Sequence, residues 1–136
     1  MSRTIDHIAI AVENLDEAAG LFEKILGIPV SRREPVAGYG VETATFDLRE
    51  TAIELVEGKG EDSPIKRFVA KRGPGIHHVA LAVEDLDAAV TDLKAKGFRF
   101  IEDIPHPGKD GSRVVFLHPG STGKILIELV EPARKP

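Results

Sequence analysis

The sequence predicts an α+β fold: two tandem βαβββ modules that form one cup-shaped mixed β-sheet with helices on its convex side. Three observations carry that expectation. Residues 5–18, IDHIAIAVENLDEA, return as residues 76–89, IHHVALAVEDLDAA, with nine of fourteen positions identical at an offset of 71. The pentapeptide IELVE stands at Ile53–Glu57 and again at Ile127–Glu131, at an offset of 74. Each copy also carries helix start and stop signals after a β-branched run. Two matches in the same order, with a slip of only three residues, mark a duplicated module. The modules run over 4–58 and 75–131, with 59–74 between them.

Each element has its own justification. Ile5–Val12 is β-rich and opens the first module. A helix follows: Asn14 can cap it, and Glu17 three residues on completes a capping box. Leu15, Ala18, Ala19, Phe22, Ile25 and Leu26 form its apolar stripe, and Gly27 ends it. Three strand-like runs then close the module, near 29–33, 40–48 and 51–57. The second module repeats the order. Ile76–Val83 opens it, Asp85 caps a helix with Leu86, Val90 and Leu93 facing inward, and Gly97 stops the helix. Its closing strands are expected near 98–102, 112–118 and 124–131. Between the modules, EDSPIKRFVAKRGPG reads as a linker helix, with Ser63 as cap, Pro64 in the first turn and Gly73-Pro74-Gly75 as stop.

Composition narrows the function. The chain has 136 residues, 42% apolar and 29% charged, which suits one soluble domain or two small modules sharing a core. Net charge is −4 and there is no long basic stretch, which argues against nucleic acid. Cysteine is absent, so disulfides and thiolate chemistry are excluded. No apolar run approaches the roughly 20 residues needed to span a bilayer, and nothing resembles a signal peptide. A cytoplasmic, non-membrane protein is expected.

Strand alternation then selects candidate site residues. In IELVE the isoleucine and leucine share the face that packs on helices, which leaves Glu54 and Glu128 on the other. In the opening strands Ile8, Ile10, Val79 and Leu81 point one way, and His7 and His78 the other. A pseudo-two-fold axis would gather one histidine and one glutamate from each module on the concave face. Any one of these residues is ordinary in a strand. Their recurrence as a symmetric pair is what suggests ligation of a divalent first-row metal, because imidazole and carboxylate suit such ions and can leave positions open for substrate. His77 lacks a partner in the first module and should face the helix side or the rim. His106 and His118, beside prolines, read as loop and strand-end residues.

These residues resemble the vicinal oxygen chelate superfamily of paired βαβββ modules, which includes glyoxalase I, extradiol dioxygenases and antibiotic-resistance binding proteins. Within it the chain is most similar to the methylmalonyl-CoA epimerase family. The specific stretches are 60–97, with DSPI…F…K.GPGIHH, and 111–131, with FLHP.STG..LIEL. The resemblance implies metal ligands at His7, Glu54, His78 and Glu128. It implies cobalt, with zinc, nickel or manganese as substitutes, an acyl-CoA substrate and a homodimer. The implied reaction interconverts (R)- and (S)-methylmalonyl-CoA by loss and return of the C2 proton through a metal-stabilised enolate.

Inversion needs an acid/base group on each side of the planar enolate. Glu128 is one candidate. Some family members place a non-ligand glutamate shortly after a Gly-Val pair, but here the stretch reads Gly40-Val41-Glu42-Thr43. Thr43 stands at the aligned site, and Glu42 is one residue out of phase, which turns it to the other face. Glu54 is therefore the candidate for the second base. Lys66, Arg67, Lys71, Arg72, Lys109, Arg113 and Lys124 are candidates for docking the CoA, and Lys124 stands where relatives often have glycine. The alternatives are a glyoxalase I-type lactoylglutathione lyase and a non-catalytic small-molecule binding protein of the same fold.

Overall fold

The computed structural model describes residues 4–36, 40–102 and 104–133. The chain forms two compact units. One is His7–His77. The other joins the N-terminal residues through Asp6 to His78 and all that follows. The boundary therefore passes inside the two opening strands, β1 (Thr4–Ala11) and β5 (Gly75–Ala82).

In the first unit the strand order is β2-β3-β4-β1, with β2 at Arg32–Val36, β3 at Val41–Leu48 and β4 at Thr51–Gly58. Strands β2, β3 and β4 are antiparallel neighbours, and β1 lies parallel to β4. Helix α1 (Leu15–Leu26) forms for the reasons its sequence suggests. Asn14 accepts a hydrogen bond from the Glu17 N–H at 3.0 Å, Asp16 and Glu17 sit in the first turn, and Gly27 closes the helix at φ 70°. Its buried face meets Ile53, Leu55, Ala44 and Phe46. Leu55 and Phe46 are fully buried. Ile25, expected in the apolar stripe, is instead exposed. Leu15, Ala19 and Phe22 belong to the cluster packed on the sheet, and Ile25 does not.

Helix α2 (Pro64–Arg72) has Ser63 as its cap, accepting from the Lys66 N–H, and Gly73 as its stop. It covers the opposite face of this sheet, where Ile65, Phe68 and Val69 pack on Ala9, Ala11, Val56 and Val41. Gly58 permits the approach: a Cβ there would stand 2.4 Å from Ser63 Oγ.

The second unit repeats the plan with the order β5-β8-β7-β6, where β6 is His106–Pro107, β7 is Arg113–Phe116 and β8 is Ile127–Glu131. Strand β5 is parallel to β8, and the other neighbours are antiparallel. Helix α3 (Leu86–Ala95) is capped by Asp85, which accepts from the Ala88 N–H at 3.0 Å. It packs on Val115, Leu117 and Leu129.

Two strand expectations need correction. The first-module strand placed near 29–33 lies at Arg32–Val36. The strand expected near 98–102 is a single bridge, Phe100 to Leu117, and the paired segment is His106–Pro107. Phe98 and Phe100 are apolar anchors for the α3 core rather than members of a ladder. Pro105 and Pro107 have no N–H to donate, which keeps this edge short.

Candidate functional site

The two opening strands stand in the same register against their IELVE partners. In the first unit Ala9 faces Glu54 and Ile10 faces Leu55. In the second unit Ala80 faces Glu128 and Leu81 faces Leu129. The alternation therefore puts Glu54 with Ala9 and His7, and Glu128 with Ala80 and His78. Ala9 and Ala80 are wholly buried. Ala9 packs in the cluster that holds Ile65 of α2, and Ala80 packs with Val114 and Val130.

In the first unit His7 Nε2 lies 4.0 Å from Glu54 Oε2, with the two side chains 14% and 13% exposed. In the second, His78 Nε2 lies 3.2 Å from Glu128 Oε1, with 10% and 9% exposed. Phe116, opposite Glu128 on β7, meets His78 edge-on at 5.3 Å and orients that ring. The residue opposite Glu54 on β3 is Thr45. Thr43, the next residue on the same face, is 1% exposed and donates to the Glu34 carbonyl at 3.3 Å. Glu34 itself stands across from Thr43 on β2, with its Oε1 buried. Glu42 lies on the other face, where it meets Arg33 and Lys59, so it takes no part in this site. Each His/Glu pair offers imidazole nitrogen and carboxylate oxygen, a donor set that fits a divalent first-row ion.

The other histidines are placed elsewhere. His77 packs edge-on against Phe68 of α2 at 5.0 Å. His106 pairs with Glu102. His118 Nδ1 accepts from the Gly120 N–H at 2.9 Å and caps a 3₁₀ turn at Pro119–Ser121. Among the basic candidates, Arg113 is engaged by Asp87 and Glu131, Arg67 donates to the Asp62 carbonyl, and Arg72 lies over the Phe68 ring. Lys124 has φ 71°, the left-handed region that favours glycine.

Sequence reasoning missed the second glutamate of each IELVE. Glu57 Oε1 accepts from the Leu15 N–H at 2.7 Å, and Glu131 Oε2 from the Leu86 N–H at 2.9 Å. Each ties its strand to the first turn of its module's helix, where a carboxylate is favoured by the exposed N–H groups. Lys59 beside it holds the Glu57 carboxyl below the usual glutamate range, helped by the Leu15 N–H. The signal was present, because Glu57 and Glu131 recur as faithfully as Glu54 and Glu128.

This duplicated His/Glu architecture defines a class. The chain belongs to the glyoxalase/bleomycin resistance protein/dioxygenase superfamily, whose family model matches residues 6–116. Within it, the chain is 40% identical to the human mitochondrial methylmalonyl-CoA epimerase over 126 residues, 92% of this chain and 72% of that protein. Its α+β fold is that of solved epimerases. The Mycobacterium tuberculosis methylmalonyl-CoA epimerase matches with a TM-score of 0.91 and 37% identity, over 96% of this chain and 89% of the other. A methylmalonyl-CoA epimerase in complex with methylmalonyl-CoA and NH4+ matches with a TM-score of 0.89 and 35% identity, over 98% and 96%.

Proposed function

We propose that this chain is a metal-dependent methylmalonyl-CoA epimerase, with His7, Glu54, His78 and Glu128 as the ligands of one divalent ion. The observation that carries the reading is the His/Glu pair built twice in identical register, Ala9 on Glu54 and Ala80 on Glu128. Similarity to epimerases over nearly the whole chain supports the substrate class. When bound, the ion would supply Lewis-acid charge for the oxygen on which negative charge develops.

The chain's own groups then have separate tasks. Glu128 takes the C2 proton from one face of the substrate. Glu54, its counterpart in the duplicated module, carries a proton at the start and gives it to the other face, and the two glutamates then reset by proton exchange with solvent. The two carboxylates exchange these tasks for the opposite stereoisomer. Phe116 keeps the His78 ring in one orientation. Cobalt is the metal favoured by the family resemblance. A homodimer in the cytoplasm belongs to the same reading, to be checked by light scattering and by fractionation of cells.

The test is exchange of the C2 proton of methylmalonyl-CoA in deuterium oxide, followed by NMR with metal-stripped protein, with added Co²⁺, and with His78→Ala. Metal-dependent deuterium uptake with loss of stereochemistry is the expected result. Folded, metal-binding protein that gives no exchange overturns the reading, and glutathione hemithioacetals become the next substrates.

A further inference from the structure

We infer that Thr45 is a positioning residue for Glu54, its hydroxyl donating to the carboxylate oxygen that Glu54 does not give to the metal. The inference rests on the reading of Glu54 as a ligand. Thr45 is 3% exposed, and its Oγ1 has no hydrogen-bond partner among the described residues. A buried hydroxyl without a partner is destabilising, and valine, of the same shape, would avoid the cost. A polar group kept in such a place points to a partner acquired in a working state of the protein.

Register says which partner. Thr45 stands directly across from Glu54 on β3 and β4, so the two side chains rise from the same face with Cβ atoms about 5 Å apart. On the other side Thr45 faces Arg32, whose guanidinium is engaged by Asp47 at 2.6 Å and accepts nothing. The duplicate module sharpens the point. The residue across from Glu128 is Phe116, which has no hydrogen to donate and packs on His78 instead. The second module thus steadies its imidazole from that strand. In the first, the same position is fitted to steady the carboxylate. A ligating carboxylate holds its orientation through hydrogen bonds to its remaining oxygen, and Thr45 is placed to give one.

The experiment compares Thr45→Val, Thr45→Ser and Glu54→Ala by Co²⁺ titration of the metal-stripped full chain, with thermal unfolding before and after loading. Thr45→Val should unfold at the same temperature as the wild type or higher when metal-free. It should nevertheless bind Co²⁺ about tenfold more weakly. Thr45→Ser, which retains the hydroxyl, should restore the affinity. This opposition of sign between metal-free and loaded protein is one that a merely structural threonine would not produce. If Glu54→Ala weakens binding and Thr45→Val does not, the inference is overturned. A Thr45→Val effect confined to KM for the substrate overturns it too, by assigning the hydroxyl to the substrate. If Glu54→Ala itself leaves the affinity unchanged, Glu54 is not a ligand and the underlying reading fails first.

Discussion

The two modules share a skeleton and differ in what surrounds each His/Glu pair. Their backbones use the same register, the same Asx-capped helix and the same glutamate tying strand to helix. The strand beside IELVE differs. In the first module it presents Thr43 and Thr45 to Val56 and Glu54, and in the second Val114 and Phe116 to Val130 and Glu128. The His/Glu pair is tighter where that neighbour is aromatic, 3.2 Å against 4.0 Å. Duplication thus preserved what the fold needs, while the strand beside each His/Glu pair diverged. A reaction that distinguishes the two faces of one carbon can use that divergence.

The largest expected effect tests whether the two glutamates act on opposite faces. Glu128→Gln and Glu54→Gln should each lower epimerisation by roughly 10²–10⁴-fold, once metal content is matched. Each should still exchange deuterium into C2 of one stereoisomer without inverting it. Equal exchange of both isomers in either variant would break the assignment. Glu34→Gln should leave turnover near wild type. A loss matching that of Glu54→Gln would move the second acid/base role to β2.

Next comes the shared skeleton. Leu55 and Leu129 hold equivalent places in the two cores, at 0% and 2% exposed. Replacing either by alanine should cost about 2–5 kcal/mol, read by urea unfolding. A much smaller cost in one module would show that its core is the looser of the two.

The strand-to-helix ties are smaller. Glu57→Ala and Glu131→Ala should each cost on the order of 1 kcal/mol, as for lost helix caps. In the first module this tie also depends on pH. The Glu57 carboxyl is held below its ordinary value chiefly by Lys59. Its contribution is therefore complete above the unfolded-state pKa of about 4.3 and is lost as pH falls through the lower folded value. Glu57→Gln should accordingly flatten the acid limb of the stability profile, as measured by unfolding midpoints between neutral and strongly acidic pH. The smallest effect belongs to the exposed arginines. Arg33 holds Asp16 and Glu42, and Arg113 holds Asp87 and Glu131, so each module ties the first turn of its helix to a strand. Arg33→Gln and Arg113→Gln should shift the melting temperature slightly, and added salt should erase the difference.

Much of this was readable from the chain alone. Local chemistry settled the helices, because Asn14, Ser63 and Asp85 offer side-chain oxygens where N–H groups need them, and Gly27 and Gly73 take conformations other residues resist. Period-two alternation settled the faces, so Glu54 and Glu128 separated from Ile53, Leu55 and Leu129 without any structure. Identity between the copies singled out His7 and His78. Where Pro105 and Pro107 interrupt the pattern, periodicity failed, and the strand expected near 98–102 reduced to one bridge.

Tertiary structure alone decided which strands are neighbours. A strand's own residues report its two faces but not its partner, since backbone pairing is nearly blind to side-chain identity. So the sequence determined a duplicated βαβββ unit with a histidine and a glutamate on one face of each copy. Only the folded sheet brought Thr45 across from Glu54 and Phe116 across from Glu128, and sent Glu57 and Glu131 to the helix N-termini, because those meetings depend on register between segments distant in the chain.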